Sequence, residues 1–373
     1  MKVLVLVPDM AKANGIASFF INYLNKHETI VSMDFYLLDD IVDSEYKKTI
    51  ENQGEIFIAS KHNKISKFFV ISRDIERIIQ SKNYDYVHIN LVNLYAFACI
   101  YGLKKSKFNN IIFHAHNPRE KGNLGIFGDY INNYCKKNSN KLIACSSFAG
   151  NSVFGDSKYI IVHNAIECSK YLFDKNFRDD FKSKYNLEDK IIVGFVGRLE
   201  YQKNPFFIIE IMKKLVLINS NYYCIIVGNG SLEEKLKEVV NSYNLENNIL
   251  FLGSRTDVNK LYSVFDLFIL PSEYEGLGIV LIEAQVSNLP IIVSVNVPNE
   301  VAIADNVVIL PIDNCQLWVD RITNIKLYER NDEKLILLSN KKYNIDNNTE
   351  LSDFYKMLME EIVHENNWNN HNN

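Results

Sequence analysis

The sequence lacks closely spaced cysteines. Its six cysteines are scattered along 373 residues without a CxxC pair, which argues against a zinc site and against a disulfide framework. Free cysteines are typical of a reducing compartment, so we expect a cytoplasmic protein without a bound metal. The six are Cys99, Cys135, Cys145, Cys168, Cys224 and Cys315.

Long apolar runs are also missing. The run that opens the sequence ends at Pro8 and no small-residue cleavage site follows, so we interpret it as a buried first strand and not as a signal peptide. No other stretch approaches the roughly 18 apolar residues that span a bilayer. The length predicts about two domains of roughly 150 residues each, which are large enough to fold without disulfides or metals.

Basic residues are concentrated in the first half, although the formal net charge is −4. Residues 102–141 contain eight basic and two acidic residues. Such a patch can dock on anionic lipid headgroups, at about 1 kcal/mol per basic residue near the surface; a solvated charged face is the alternative. The basic residues are Lys104, Lys105, Lys107, Arg119, Lys121, Lys136, Lys137 and Lys141.

Strand-like apolar runs alternate with helical patterns along the chain. Seven runs lie between Val3 and Val162, and six lie between Ile191 and Leu310. This alternation predicts parallel sheets covered by helices on both faces. Uninterrupted runs such as IIVGFV at 191–196 suit strands that are buried on both sides.

The charged segment 163–189 contains no strand-like run and is the predicted domain boundary. We therefore predict an α/β protein of two doubly wound Rossmann-like domains, residues 1–168 and 169–349. Ligands bind at the carboxyl ends of the strands in such sheets, so the two domains are expected to face a central cleft. A helix at about 350–365 is expected to pack back on the first domain.

A candidate phosphate site follows the strand at 191–196. Gly197 and Arg198 come directly after it, and Lys203 precedes a helix that opens at Pro205. A glycine lets the backbone approach a ligand, a helix N-terminus offers free N–H groups, and two cations suit a diphosphate. A turn with two surface cations is the alternative.

Two further glycine turns follow the next strands. Gly228 and Asn229 come after one strand, and Gly253 and Arg255 come after the next. These turns are expected to approach a ligand and to line a pocket for a base. Asp257 is placed to cap the following helix.

The segment PSEYEGLGIVLIEA, residues 271–284, contains two carboxylates in an E-x7-E pattern. Glu275 lies in the loop, and Glu283 lies in the second turn of a helix that is expected to begin near Gly278. Carboxylates suit sugar hydroxyls because an ionised acid accepts several hydrogen bonds. We assign Glu283 to a ribose diol and Glu275 to a hexose ring; ordinary surface acids on a capped helix are the alternative.

These segments resemble family 4 retaining glycosyltransferases of GT-B architecture, on GRLEYQKNP at 197–205 and PSEYEGLGIVLIEAQ at 271–285. Three further segments resemble the subgroup that builds bacterial capsular polysaccharides and exopolysaccharides, the EpsF- and CapH-like enzymes. They are HAHN at 114–117, ACSSFAG at 144–150 and VHNAIE at 162–167. The resemblance covers nearly the whole chain.

The resemblance implies a role for each position. Arg198 and Lys203 would hold the diphosphate, Glu283 the ribose and Glu275 the donor sugar. Backbone N–H groups would face the donor sugar or phosphate at Gly276, Leu277, Gly278 and Ile279. The rest of the nucleotide-sugar site would comprise Gly15, Gly197, Gly228, Asn229, Gly253 and Arg255.

The family's histidine near the donor sugar falls at His116 or His114. We favour His116, because a small polar residue follows it in family members. We expect the two side chains to point to opposite faces at this strand end, so a shared metal ion is not expected. In family members a Gly-Gly pair after the first strand lies close to the donor phosphates and the acceptor. The pair is Asn14-Gly15 here, and Ala17 replaces an acidic residue. Asparagine tolerates unusual backbone angles, so this loop is expected to keep its shape.

The resemblance implies retaining transfer of a hexosyl or N-acetylhexosaminyl group from a nucleoside diphosphate sugar, with uridine as the base. The acceptor would be a saccharide, lipid-linked at the inner face of the cytoplasmic membrane. The nucleotide sugar is a substrate, and no cofactor or nucleic acid is expected. A nucleotide-sugar 2-epimerase and a non-catalytic partner subunit are the alternatives. An NAD-dependent dehydrogenase is disfavoured because no G-x-G-x-x-G follows the first strand.

Overall fold

The computed structural model describes residues 1–12, 14–25, 30–59, 64–118, 125–327, 330 and 342–371. Within these ranges the chain forms two compact units. The first unit comprises residues 1–165 and 348–373, and the second comprises residues 166–347. Each unit is built on one parallel sheet, with seven strands in the first and six in the second. The predicted pair of parallel α/β sheets is therefore confirmed.

The sheet of the first unit has the strand order 3-2-1-4-5-6-7. Adjacent strands pair in parallel throughout. The strands are β1 (Lys2–Val7), β2 (Ser32–Leu37), β3 (Ile56–Ile58), β4 (Tyr86–Ile89), β5 (Ile111–Ala115), β6 (Lys141–Ala144) and β7 (Ile160–Ile161). The helices are α1 (Gly15–Leu24), α2 (Ser44–Glu51), α3 (Lys64–Ser81), α4 (Asn93–Lys105), α5 (Gly125–Lys137), α6 (Ser147–Phe154) and α13 (Glu350–His371).

The last helix, α13, belongs to the core of the first unit. Phe354, Tyr355 and Leu358 lie in one buried cluster with residues of β1 and α1. The carboxylate of Glu350 accepts from the backbone N–H of His163 at 2.6 Å, which fixes the start of the helix. Burial of such large side chains stabilises the fold by about 1.5–3 kcal/mol each, so α13 is an integral part of this unit.

The second unit has the strand order 10-9-8-11-12-13, again all parallel. The strands are β8 (Ile191–Val196), β9 (Tyr222–Val227), β10 (Ile249–Gly253), β11 (Leu267–Leu270), β12 (Ile291–Ser294) and β13 (Val307–Leu310). The helices are α7 (Lys175–Lys184), α8 (Pro205–Ile218), α9 (Glu233–Ser242), α10 (Val258–Val264), α11 (Ile279–Val286) and α12 (Cys315–Thr323). Turns of 3₁₀ helix occur at Cys168–Tyr171, Tyr201–Lys203 and Asn299–Val301.

The thirteen predicted strand runs all form strands, with ends within two residues of the prediction. The central strand β8 shows why the run IIVGFV tolerates a glycine. A Cβ on Gly194 would lie 2.2 Å from the ring of Phe265, so only glycine lets this ring pack on the sheet. The order 3-2-1-4 at the centre of both sheets places the ends of four strands side by side, and ligands bind at such ends.

Candidate active site

Glycine turns bring three strand ends of the second unit into direct backbone contact. The N–H of Gly197 donates to the carbonyl of Val227 at 3.0 Å, and the N–H of Gly228 donates to the carbonyl of Gly253 at 2.8 Å. Gly228 has a φ of 126°, and a Cβ there would lie 2.0 Å from the carbonyl oxygen of Gly197. The carbonyl of Asn229 accepts from the N–H of Leu199 at 2.9 Å. The backbone itself therefore forms this edge of the site.

Lys203 and Glu275 meet in a buried ion pair, although 71 residues separate them. Lys203 Nζ lies 2.6 Å from Glu275 Oε1, and the two side chains are 13% and 4% exposed. The hydroxyl of Ser272 donates to the same oxygen at 2.5 Å. The Lys203 side chain also runs beside Gly197, since a Cβ on that glycine would be 3.5 Å from Lys203 Cδ. The predicted phosphate and sugar residues are thus brought together.

Arg198 lies at the rim of the same site and is exposed. Its guanidinium donates to Gln202 Oε1 at 3.2 Å. The side-chain amide of Gln202 in turn donates to the backbone carbonyl of Tyr274 at 3.1 Å, and the backbone carbonyl of Gln202 accepts from the N–H of Glu273 at 2.8 Å. The loops after β8 and β11 are therefore held together through Gln202, which also contacts the exposed guanidinium of Arg198.

Helix α11 begins directly after the segment of residues 275–278, which starts with Glu275. Gly276, Leu277 and Gly278 are buried, and Ile279 is the first helical residue. Gly278 occupies the N-cap with a left-handed φ of 79° and gives no side-chain cap. A helix N-terminus without a side-chain cap leaves N–H groups for an anion or a polar ligand. The structure places the helix start at the predicted position.

Glu283 lies one turn into α11, and two tyrosines contact its carboxylate. The hydroxyl of Tyr171 donates to Oε1 at 3.0 Å, and that of Tyr262 donates to Oε2 at 2.6 Å. Burial raises the pKa of Glu283, while the two tyrosines and the charge of Lys203 oppose that rise. The sequence carries no signal for either tyrosine, since Tyr171 is 112 residues from Glu283 and no motif links them.

The prediction for Asp257 is wrong. Asp257 occupies the N-cap position of α10 but makes no side-chain cap hydrogen bond. Its carboxylate instead accepts two hydrogen bonds from Arg255, at 2.9 and 2.7 Å. A bidentate arginine pair is a stronger competitor than a backbone N–H. Arg255 is therefore already paired at the rim beside Gly253.

The first unit places a histidine cluster at the ends of β4 and β5. His114 Nδ1 lies 3.1 Å from His88 Nε2, and His88 Nδ1 lies 2.7 Å from the hydroxyl of Tyr355. His116 Nε2 lies 2.8 Å from Asn90 Oδ1. The rings of His114 and His116 are 3.8 Å apart. The expectation that these two side chains point to opposite faces is therefore wrong, because residues two apart in a strand share a face.

Burial makes this cluster electrically neutral. It lowers the pKa of His116 to about 3 and that of His114 and His88 well below 6.5. His116 is 7% exposed and His114 is fully buried. Among the residues that the structure describes, His116 Nδ1 and His114 Nε2 have no hydrogen-bond partner. Within the described residues, no group of three or more His, Cys, Asp or Glu side chains is arranged to hold a metal ion.

The loop after β1 holds Asn14 and Gly15. Asn14 has φ −94° and ψ 112°, which is ordinary extended backbone, and its side chain accepts from the N–H of Ile16 at 3.0 Å. The loop therefore uses asparagine as a helix cap, and its backbone at Asn14 does not draw on the tolerance of asparagine for unusual angles. Gly15 is the exposed first residue of α1, and Ala17 is buried beneath it.

Several lysines of the basic segment 102–141 already have partners. Lys105 pairs with Glu76 at 3.0 Å and Lys141 pairs with Glu361 at 2.6 Å. Arg119 and Lys121 lie outside the described residues. None of the helices within the described ranges has the length and apolar character needed for a bilayer crossing.

Residues 177–343 match the sequence profile of the family described as Glycosyl transferases group 1. The matched range lies within the second unit and contains Arg198, Lys203, Glu275 and Glu283.

Two curated relatives agree with this match. EpsF of Bacillus subtilis (strain 168), named as a glycosyltransferase, is 31% identical over 170 residues, which are 44% of this chain and 44% of that protein. The UDP-Gal:alpha-D-GlcNAc-diphosphoundecaprenol alpha-1,3-galactosyltransferase of Escherichia coli is 34% identical over 143 residues, which are 37% of this chain and 36% of that protein. The alignments thus span less than half of either relative.

Likeness to solved structures extends over both units. The crystal structure of Anabaena Alr3699/HepE in complex with UDP and glucose has a TM-score of 0.78 to this chain. It covers 95% of this chain and 99% of that chain, at 14% identity. At this identity the likeness shows the fold alone, which is GT-B.

Proposed function

We propose that this protein is a retaining glycosyltransferase that moves a hexosyl or N-acetylhexosaminyl group from a uridine diphosphate sugar to a saccharide acceptor. The observation that carries the proposal is the buried contact of Lys203 with Glu275 beside the glycine turns of β8, β9 and β10. This arrangement places a cation, a carboxylate and glycine backbone at the carboxyl ends of neighbouring strands. A sugar linked to a diphosphate presents the matching groups, namely phosphate oxygens and hydroxyls.

Each side chain of this edge has a proposed role. Lys203 and Arg198 bind the diphosphate and stabilise the charge that develops as it leaves. Glu275 accepts hydrogen bonds from the donor sugar, and Glu283 accepts them from the ribose. The N–H groups at 276–279 face the sugar or the phosphate at the start of α11. His116 or His114, each kept neutral by burial, keeps the role that the family resemblance implies.

Retention is proposed from the family 4 resemblance. Retaining glycosidases use two carboxylates roughly 5 Å apart, whereas the carboxylates of this site, Glu275 and Glu283, are engaged by Lys203 and by two tyrosines. We therefore propose front-face displacement, in which the leaving diphosphate takes the proton of the acceptor hydroxyl. Catalysis then rests on orientation and on the fixed cation.

The acceptor is proposed to be a lipid-linked saccharide used in capsular polysaccharide or exopolysaccharide synthesis at the inner face of the cytoplasmic membrane. The name of the diphosphoundecaprenol galactosyltransferase of Escherichia coli supports a lipid-linked acceptor. The basic residues within 102–141 would contact anionic headgroups. Tyr101 and Tyr130, 47% and 63% exposed on α4 and α5, would add interfacial rings to that contact.

The first test is thermal unfolding of the purified protein with millimolar UDP, GDP, ADP or NAD. A ligand at 100 times its Kd stabilises the fold by about 2.7 kcal/mol, so a rise in Tm with UDP is expected. A shift with NAD alone, or with none of the four, would contradict the proposal. Turnover without an acceptor would instead indicate an epimerase.

The second test measures transfer from UDP-sugars by Lys203→Ala and Arg198→Ala. Each variant loses a hydrogen-bond donor to the transition state. The activation free energy should therefore rise by about 3 kcal/mol, so that turnover falls more than a hundredfold. Lys190→Ala is the matched control, because Lys190 lies at the amino end of β8 and donates to the carbonyl of Ser220. Normal turnover in both site variants would remove the phosphate assignment.

A further inference from the structure

The carboxylate of Glu283 is held at both oxygens by phenol hydroxyls. Tyr171 donates to one oxygen and Tyr262 donates to the other, at 3.0 and 2.6 Å. The two tyrosines come from different elements, since Tyr171 ends the 3₁₀ turn Cys168–Tyr171 and Tyr262 lies in α10. Two donors from two directions fix both the position and the rotation of the carboxylate.

Tyr262 is itself firmly placed. Tyr262 is fully buried and packs against the rings of Phe265 and Phe268. The carbonyls at the end of α10 accept hydrogen bonds from two arginines: Arg178 contacts the carbonyl of Val264 at 2.7 Å, and Arg330 contacts that of Tyr262 at 2.9 Å. Such a helix end cannot shift without breaking charge-assisted hydrogen bonds.

The hydrogen bonds also govern the charge of Glu283. Burial raises the pKa of this carboxyl group, and the two tyrosine hydroxyls lower it. The pKa of Tyr262 is itself raised by burial, so the phenol keeps its proton and remains a donor. The tyrosines therefore favour an ionised carboxylate, which accepts hydrogen bonds and donates none.

The remaining acceptor capacity of Glu283 matches a vicinal diol. An ionised carboxylate has about four lone-pair positions on its two oxygens, and the tyrosines occupy one position on each. One position then remains on each oxygen of a carboxylate whose rotation the two tyrosines fix. A ribose offers two adjacent hydroxyls, whereas a 2′-deoxyribose offers one.

We propose that Tyr171 and Tyr262 are positioning residues that make Glu283 select ribonucleotides over 2′-deoxyribonucleotides. The inference rests on the proposed function, because it takes the ligand of Glu283 to be the ribose of the donor nucleotide. A 2′-deoxy ligand leaves one buried carboxylate position without a donor, and unpaired buried acceptors are costly. The tyrosines produce this selectivity by preventing the carboxylate from turning away.

The test compares the Kd of UDP with that of 2′-deoxy-UDP by calorimetry. The protein with its natural sequence is expected to prefer UDP by at least about tenfold. Tyr171→Phe and Tyr262→Phe should each shrink this ratio by about fivefold or more, mainly through weaker binding of UDP. Tyr222→Phe is the matched control, since Tyr222 is also a buried tyrosine of the second unit but lies at the amino end of β9.

The outcomes separate the inference from the proposed function. An unchanged ratio of the two Kd values in Tyr171→Phe and Tyr262→Phe would overturn the positioning role. A general loss of packing would weaken the binding of both nucleotides equally, which leaves the ratio unchanged and would also overturn that role. Equal binding of both nucleotides by the natural sequence would remove the ribose assignment while leaving the nucleotide site intact. If the natural sequence bound neither nucleotide, the proposed function would fail. Tyr171 is only part-buried, so its variant keeps the test available if Tyr262→Phe does not fold.

Discussion

The two units share the strand order 3-2-1-4-5-6 but differ in the chemistry at their strand ends. In the first unit the ends of β4 and β5 carry neutral imidazoles, with His116 bonded to Asn90. In the second unit the ends of β8 and β11 carry Lys203 and Glu275 as a buried ion pair. The topology thus determines where a ligand can bind, and the loop residues determine which charges it meets.

The largest expected contrast is the response to acid. The pKa of His116 is about 3 in the fold against 6.5 for the ordinary side chain, so below pH 6.5 the unfolded chain binds a proton that the folded chain does not. The first unit should therefore lose about 1.4 kcal/mol of stability per pH unit for each such histidine. Glu283 changes the stability in the opposite direction. Its pKa is raised in the fold, so the folded second unit binds a proton more strongly than the unfolded chain and gains stability as the pH falls.

Urea unfolding between pH 7.5 and 5 measures this contrast. His116→Gln should reduce the slope of the unfolding free energy against pH, and Glu283→Gln should increase that slope. The matched control is His364→Gln, because His364 is exposed near the end of α13 and should leave the slope unchanged. Equal slopes in the natural sequence and in His116→Gln would show that this histidine is not buried as neutral imidazole.

Two ion pairs of equal length give the next contrast. Lys203 to Glu275 and Lys67 to Asp39 both measure 2.6 Å, with lysine side chains 13% and 14% exposed, but Glu275 is 4% exposed and Asp39 is 56% exposed. Lys203→Met strands a buried carboxylate and should cost about 3 kcal/mol. Lys67→Met leaves a hydrated one and should cost less than about 1 kcal/mol. The unfolding free energies of both variants can be measured by chemical denaturation at pH 7.5. Similar losses in Lys203→Met and Lys67→Met would mean that Glu275 is less buried than the fold implies.

Two left-handed glycines give a smaller contrast. Gly228→Ala and Gly155→Ala both place a side chain at positive φ, which costs about 1–2 kcal/mol. A Cβ at Gly155 meets nothing within 4 Å, whereas one at Gly228 meets the carbonyl of Gly197. Gly228→Ala should therefore be the less stable variant by Tm and should also lose UDP binding. Normal UDP binding by Gly228→Ala would separate this turn from the nucleotide site.

The smallest contrast concerns two helix caps with the same bond. Asn14 caps α1 through the N–H of Ile16, and Asn314 caps α12 through the N–H of Gln316, each at 3.0 Å. Replacement by alanine should cost about 1 kcal/mol at either position. Only Asn14→Ala is expected to change the KM for the acceptor, because the first loop is the proposed acceptor side. A matching change in Asn314→Ala would assign the effect to stability.

Local patterns predicted the strands and the turns, because buried strands and glycines leave a signal within a few residues. The E-x7-E segment likewise predicted where α11 begins. Contacts between distant segments left no such signal: nothing near Tyr171 or Tyr262 indicates that both hydroxyls meet at Glu283. The pairing of His114 with His116 was within reach, since the two-residue period of a strand places them on one face. Asp257 shows a helix cap lost to a stronger neighbour.

The ion pair of Lys203 with Glu275 means that the site contains its own counterions. A simple anion such as inorganic phosphate must displace Glu275 from Lys203 and offers that carboxylate nothing in return. A ligand that carries phosphate and hydroxyl groups together replaces both halves of the pair at once. The site is therefore expected to bind inorganic phosphate and free sugar weakly, and to bind a molecule that carries both groups much more tightly.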